Sequence, residues 1–160
     1  MKQQTIKRAV SVSGVGLHTG VEVTLTFQPA PEDHGIKFQR LDLEGEPVFN
    51  ADVNRVVNTE RSTTIKSGDA SISTVEHALS ALAGLGVDNV LIQVDGPEAP
   101  ILDGSAAGFV AALQEAGIDT QDADRDYFVV EEPIVFRDDA TGTELMALPH
   151  DGFEIVTLID

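Results

Sequence analysis

Between residues 21 and 28 the chain reads VEVTLTFQ, with Val21, Val23, Leu25 and Phe27 alternating with Glu22, Thr24, Thr26 and Gln28. A period of two sends successive side chains to opposite faces, so this segment predicts a strand with one wet face. TIKRAVSV (residues 5–12) predicts a weaker strand before it, and SGVGLHTG (13–20) joins the two as a loop marked by Gly14, Gly16 and Gly20. GIKFQRL (35–41) predicts a third strand and PVFNADVNRVV (47–57) holds a fourth. STTIKSGDASIST (62–74) has the pattern of a hairpin turning at Gly68-Asp69.

From Thr74 the period changes. Val75, Ala78, Leu79, Leu82 and Leu85 fall at helical spacing. Ser73 and Glu76 stand as the S-x-x-E of a capping box, and Gly84 and Gly86 supply the stop. NVLIQV (89–94) predicts a buried strand. PEAPILDGSAAGF (97–109) is a Pro/Gly-marked loop running into a second helix, with Ala106, Phe109, Val110 and Leu113 on one face and Gly117 at its end.

These elements predict an α+β domain in two layers, a sheet with two helices on one face. DTQDADRD (119–126) is acidic and has no apolar anchors, so it is expected to be a linker. Three strand patterns follow it, YFVVEEPIVF, TELMALP and FEIVTLI, without a helix of their own. The expected division is therefore a first domain over 1–126 and, over 127–160, the incomplete start of a second, similar one. The pattern stops mid-strand at Asp160, which predicts a fragment.

Composition narrows the function classes. Of the −17 net charge, none falls in residues 1–66, where eight Lys/Arg meet eight Asp/Glu; residues 67–160 hold two against nineteen. Such a surface repels phosphates and anionic head groups, which argues against nucleic acid as a partner. No stretch reaches the ~20 apolar residues of a membrane span. No secretory signal pattern opens the chain, so a soluble, cytoplasmic protein is expected. Cysteine is absent, so any metal must be held by His, Asp or Glu.

The four histidines are His18, His34, His77 and His150. His34 and His150 lie in polar turns and carry no assigned role. His18 stands in the glycine-rich loop, where a backbone approaches a ligand closely or simply turns. Asp103 fits a cap of the second helix or its entry turn. Glu76 and His77 open the first helix. Glu76 is explained as a capping residue at the positive end of the helix dipole, or as a general base; His77 is explained as a surface imidazole, or as a metal ligand. Residue types and spacing alone leave those alternatives open.

Three segments, SGVGLHTG (13–20), STVEHALSALAGLGVDN (73–89) and GPEAPILDGSAAGF (96–109), together resemble the zinc-dependent UDP-3-O-acyl-N-acetylglucosamine deacetylases, which take the committed step of lipid A synthesis in Gram-negative bacteria. The resemblance runs in order along the whole chain. It implies two similar α+β domains whose helices meet at the active site. It further implies that His77 is a zinc ligand and that Glu76, before it, is the general base for the water. The remaining His and Asp ligands, and a further His, are expected beyond Asp160. His18 and Ser62 are implied on the substrate side, Ser62 standing where the family often has a Cys. Gly108 replaces a common Pro, and Ala99 a larger aliphatic.

The implied substrate is a UDP-linked acylated amino sugar, and the implied partner is the C-terminal half of the same polypeptide. With one ligand of three, this chain alone is expected to be inactive. A non-catalytic binding or structural domain with the same fold is the alternative reading. A parent that also carries a hydroxyacyl-carrier-protein dehydratase domain is a third.

The uneven charge yields a test of its own. Salt screens self-repulsion, and adaptation to a salty interior is one reading of the acid excess. The melting temperature of the chain is then expected to rise from low to molar salt; a flat series would contradict that reading.

Overall fold

The computed structural model describes residues 1–158. In chain order the strands are β1 (Lys2–Ile6), β2 (Val10–Val15), β3 (Glu22–Pro29), β4 (Ile36–Arg40), β5 (Val48–Asn50), β6 (Val56–Asn58), β7 (Thr64–Ser67) and β8 (Ala70–Ile72). Helix α1 (Glu76–Leu85), β9 (Val90–Val94), helix α2 (Ala107–Ala116), β10 (Ile118–Asp124), β11 (Ile134–Asp138) and β12 (Thr143–Ala147) follow. Two compact units result, Met1–Arg125 and Asp126–Asp160.

The first unit is the expected α+β arrangement. Its main sheet has the order β2-β3-β9-β4-β5, antiparallel except for the parallel pair β4 and β9. A parallel pair needs a long crossover, and residues 41–89 supply it, with a small sheet (β6-β7-β8) and α1 inside it. The alternation in β3 sorts the two faces. Val23, Leu25 and Phe27 are buried in one core with Val90, Ile92 and Val94 of β9, Ala78 and Leu82 of α1, and Phe109 and Leu113 of α2. Phe109 meets Phe27 edge to face, with ring centroids 6.3 Å apart.

The opposite face is polar. Its side chains pair across the strands: Ser11 with Thr26 (2.8 Å), Ser13 with Thr24 (3.1 Å), and Gln28 to Gln93 to Gln39 (both 2.9 Å).

The small sheet matters to the site because its strands bring Thr64 and Ser73 together; their hydroxyls are 3.1 Å apart. Arg40 ties this sheet to the main one. Its guanidinium is buried, grips both oxygens of Asp42 at 2.8 Å, and donates to the Ser71 carbonyl of β8. The Arg40 hydrogen bond is the main reason the Asp42 carboxyl is held below its usual range.

Several expectations need correction. TIKRAVSV is not one strand: the chain breaks at residues 7–9, and β1 and β2 join different sheets. Lys7 there donates its N–H to the Gly117 carbonyl (2.8 Å). PVFNADVNRVV splits into β5, a short 3-10 turn (Val53–Arg55) and the start of β6. DTQDADRD is not a linker, since most of it is β10, paired antiparallel with β1. Its order comes from polar contacts: Glu32 accepts the N–H groups of Asp122 and Ala123, and Gln121 donates to the Ala30 carbonyl. Lastly, Ser73 and Glu76 do not form a capping box. Val75 is the cap position and no side chain caps α1. Ser73 is instead held by Pro97, and Thr74 turns the chain with φ 59° before the helix begins.

Other expectations hold. The β7–β8 turn falls at Gly68-Asp69, where Ser67 faces Ala70 across the hairpin. Helix α1 stops at Gly86 in the left-handed conformation (φ 69°), whereas Gly84 lies inside the helix and is no part of the stop.

The second unit is an antiparallel hairpin, β11 with β12, and its apolar residues Ile134, Val135, Phe136, Leu145 and Met146 are exposed. The segment 127–133 is not a strand, nor is 153–158; the last residue of FEIVTLI lies outside the described residues. None of the described helices is long and apolar enough to cross a membrane.

The edge-to-face pair of Phe27 and Phe109 sets the expectation for stability. Phe109→Ala should lower the unfolding free energy by about 3–5 kcal/mol, the usual cost of emptying a buried aromatic site. Urea denaturation of the chain measures it.

Candidate functional site

The three segments that stood out in the sequence converge on one side chain. Glu98, in the loop before α2, is 1% exposed. Its own backbone is fixed by residue 73: Ser73 donates to the Pro97 carbonyl and Ala99 donates to the Ser73 carbonyl, both at 3.0 Å. The carboxylate therefore lies beside the entry to α1, where Oε1 accepts the Thr74 hydroxyl at 2.7 Å. On its other side is the SGVGLHTG loop. The His18 N–H lies 3.1 Å from both oxygens, and Oε2 accepts the N–H and hydroxyl of Thr19, each at 2.8 Å.

Among the described residues no cation pairs with this buried charge, and hydrogen bonds hold it. Burial works against the charged form, but the Thr74 hydroxyl, the N–H and hydroxyl of Thr19 and the His18 N–H outweigh it. They hold the Glu98 carboxyl below its ordinary value. The loop can approach this closely because residue 16 is glycine. A Cβ there would stand 2.5 Å from Glu98 Oε2 and 2.5 Å from Thr19 Oγ1, too near for either atom to stay. Thr74 is buried and left-handed, an uncommon state for a β-branched residue and a point of backbone strain.

Above Glu98 opens a cleft of about 690 Å³. His18 and Thr19 form one wall, and Asn58, Arg61, Ser62 and Thr64 another. His18 Nε2 lies 3.3 Å from the Arg61 carbonyl, which bridges the rim.

The structure places the sequence candidates in two adjoining groups. His18 and Ser62 line the cleft. Glu76 and His77 are not among its walls; they are the first two residues of α1, both half-buried. The groups touch through Thr63, whose N–H donates to Glu76 Oε2 at 2.9 Å. The His77 ring makes no hydrogen bond among the described residues. Asp103 lies near enough for His77 to add a small pull on its carboxyl, which the Ser105 hydroxyl and N–H chiefly hold low. Asp103 organises the turn into α2: it accepts from Ser105, whose hydroxyl accepts the Ala107 N–H.

A zinc ion takes imidazole and carboxylate donors, and catalytic zinc has three protein ligands. The free imidazole of His77 beside an oriented carboxylate suits one such position. No group of three or more His, Asp or Glu side chains placed to hold a metal occurs among the described residues.

Glu98, Thr74 and Thr19 were not singled out by sequence reasoning. A glutamate set between two prolines in otherwise apolar PEAPIL was the available signal, because a charge in such a run must be either exposed or fully partnered.

The family model for UDP-3-O-acyl N-acetylglycosamine deacetylase matches residues 3–160 of the chain. Among curated relatives, a bifunctional enzyme LpxC/FabZ of Bacteroides thetaiotaomicron is 46% identical over 159 residues, which cover 99% of this chain and 34% of that protein. A UDP-3-O-acyl-N-acetylglucosamine deacetylase of Anaeromyxobacter sp. is 51% identical over 154 residues, 96% of this chain and 49% of the relative. The deacetylase of Methylococcus capsulatus is 45% identical over 160 residues, all of this chain and 52% of the relative. The chain thus spans from a third to about half of these relatives.

Glu98 gives the site a pH signature. A carboxyl whose pKa is depressed by folding contributes stability that is present above its unfolded value of 4.5 and lost as pH falls through the lower native one. Glu98→Gln should therefore destabilise the chain at neutral pH, and the gap from wild type should narrow as pH drops below 4.5. Urea melts of both proteins across that range give the answer; a gap independent of pH would mean that the charge is not what the donors hold.

Proposed function

The chain belongs to the UDP-3-O-acyl N-acetylglycosamine deacetylase family, and from that membership and the geometry at the start of α1 we propose a specific reaction. The polypeptide containing this chain hydrolyses the acetamide of UDP-3-O-acyl-N-acetylglucosamine, the committed step of lipid A synthesis, using zinc. Glu76 is the general base and His77 a zinc ligand. The single observation that carries the reading is the placement of this pair. Glu76 is oriented by the Thr63 N–H, one residue from the cleft wall at Ser62, and the His77 imidazole beside it is left unengaged by the described residues.

When bound, zinc supplies Lewis-acid chemistry, acidifying a water and polarising the acetamide carbonyl. This chain's own part is to hold and orient. Neighbouring positions on a helix diverge by about 100°, so the His77 imidazole would be free to hold zinc while the Glu76 carboxylate, pointing elsewhere, would serve as base. One oxygen of Glu76 is fixed by Thr63; the carboxylate takes the proton that the water loses, and a His from the second domain, beyond Asp160, gives one to the departing amine. His18 and Ser62, on facing walls of the cleft, meet the substrate.

The other ligands come from the further length that the relatives possess. Residues 127–160 belong to the start of the second domain. In support, the β11–β12 hairpin leaves its apolar side chains exposed, and an isolated two-stranded hairpin is marginal in water. That same polypeptide is this chain's partner. The reading also places the enzyme in the cytoplasm.

In the full-length polypeptide, Glu76→Ala should cut turnover by about 10²–10⁴-fold, the usual worth of a general base, and leave bound zinc in place. His77→Ala should lose turnover and zinc together. Deacetylation of the UDP-sugar followed by product analysis, with metal content from elemental analysis, separates the two. The 160-residue chain by itself should show no turnover; metal-dependent activity from it would overturn the ligand assignment.

A further inference from the structure

Among the described residues, Glu98 is the one fully buried carboxylate, and this mechanism leaves it without a task. It borders the cleft, yet both of its oxygens are taken by donors and it is 1% exposed, so it is not placed to carry a proton to or from substrate. A stability role alone also fits poorly. A buried charge pays a desolvation cost that an apolar side chain in the same space would avoid. Its bonds are not made to the core. The donors are His18 N–H, Thr19 N–H, Thr19 hydroxyl and Thr74 hydroxyl. Three of these belong to the loop tip that carries a cleft side chain. The fourth belongs to the strained residue that turns the chain into α1, two positions before Glu76.

We propose that Glu98 is a positioning residue of the deacetylase site, one that locks the His18 loop against the entry to α1. The inference rests on the functional reading above. The lock sets the distance between the side chain that meets the substrate and the helix start that carries Glu76 and His77. Gly16 is part of the same device, because only a residue without Cβ lets the loop backbone settle over the carboxylate. Two segments distant in sequence, residues 18–19 and residue 74, are thereby fixed to one small group rather than to a broad interface.

The test uses the full-length polypeptide with zinc bound and the UDP-3-O-acyl-N-acetylglucosamine substrate. Glu98→Gln keeps the shape but turns an amide donor toward groups that are themselves donors. It should raise KM about tenfold or more, in the range that misplacing a substrate-side group costs, with kcat less affected and zinc content unchanged. Gly16→Ala should give the same split. The double variant should be no worse than the more severe single one, because both act through the same loop. Thr19→Val removes one hydroxyl donor and keeps the backbone bond. It should show a smaller rise in KM, and it serves as the test if Glu98→Gln does not fold. A lowered melting temperature with unchanged KM and kcat, or additive effects of Glu98→Gln and Gly16→Ala, would overturn the proposal. A wild type without turnover would overturn the functional reading and this inference together; a wild type that turns over beside kinetically normal variants would overturn this inference alone.

Discussion

The arrangement of this site depends on how a single buried carboxylate is satisfied. Among the described residues no cation pairs with Glu98, and its charge persists because hydrogen bonds from two distant segments converge on it. An ionised group removed from water is tolerated only if its lone pairs are filled, and here the filling requires a fixed loop, a glycine at position 16 and a left-handed Thr74. Each of these is unfavourable or restrictive alone. Together they convert the need to satisfy one charge into a geometric constraint on the loop and the helix entry.

The rest of the first unit supplies a rigid frame for that constraint. The apolar face of the main sheet is covered by α1 and α2 through one continuous core, so neither helix is free to shift against the strands. Arg40 extends the frame to the small sheet through Asp42 and the Ser71 carbonyl. The far wall of the cleft, with Ser62 and Thr64, is thus positioned from the main sheet on one side and from Glu76 through Thr63 on the other. The cleft and the acid-imidazole pair are neighbours because one backbone N–H joins them.

The charge distribution fits this division of labour. The strand-rich residues 1–66 carry balanced charge, and they provide most of the cleft walls; the acid excess falls on residues 67–160. The cleft itself is lined by one guanidinium residue, Arg61, with the acids Glu60 and Glu98.

Much of the fold was legible in the sequence, for a local reason. The alternation of Val23, Leu25 and Phe27 and the spacing of Val75, Ala78 and Leu82 are properties of single segments, and burial of one face follows from them directly. The two glycine stops and the Gly68-Asp69 turn are local too, as is the Glu-His pair at the head of α1. The failures were nonlocal. Strand β10 is polar and owes its order to β1, more than a hundred residues away, so no window of DTQDADRD could show it. Ser73 and Glu76 had the spacing of a capping box, but Pro97 and Thr63 claimed their polar groups first. Glu98 looked like one more loop acid, and only the folding of residues 18, 19 and 74 around it made it a junction. Segment periodicity determined which faces are apolar; which polar group meets which was decided in three dimensions, because a hydrogen bond carries no trace in the sequence of the partner it finds.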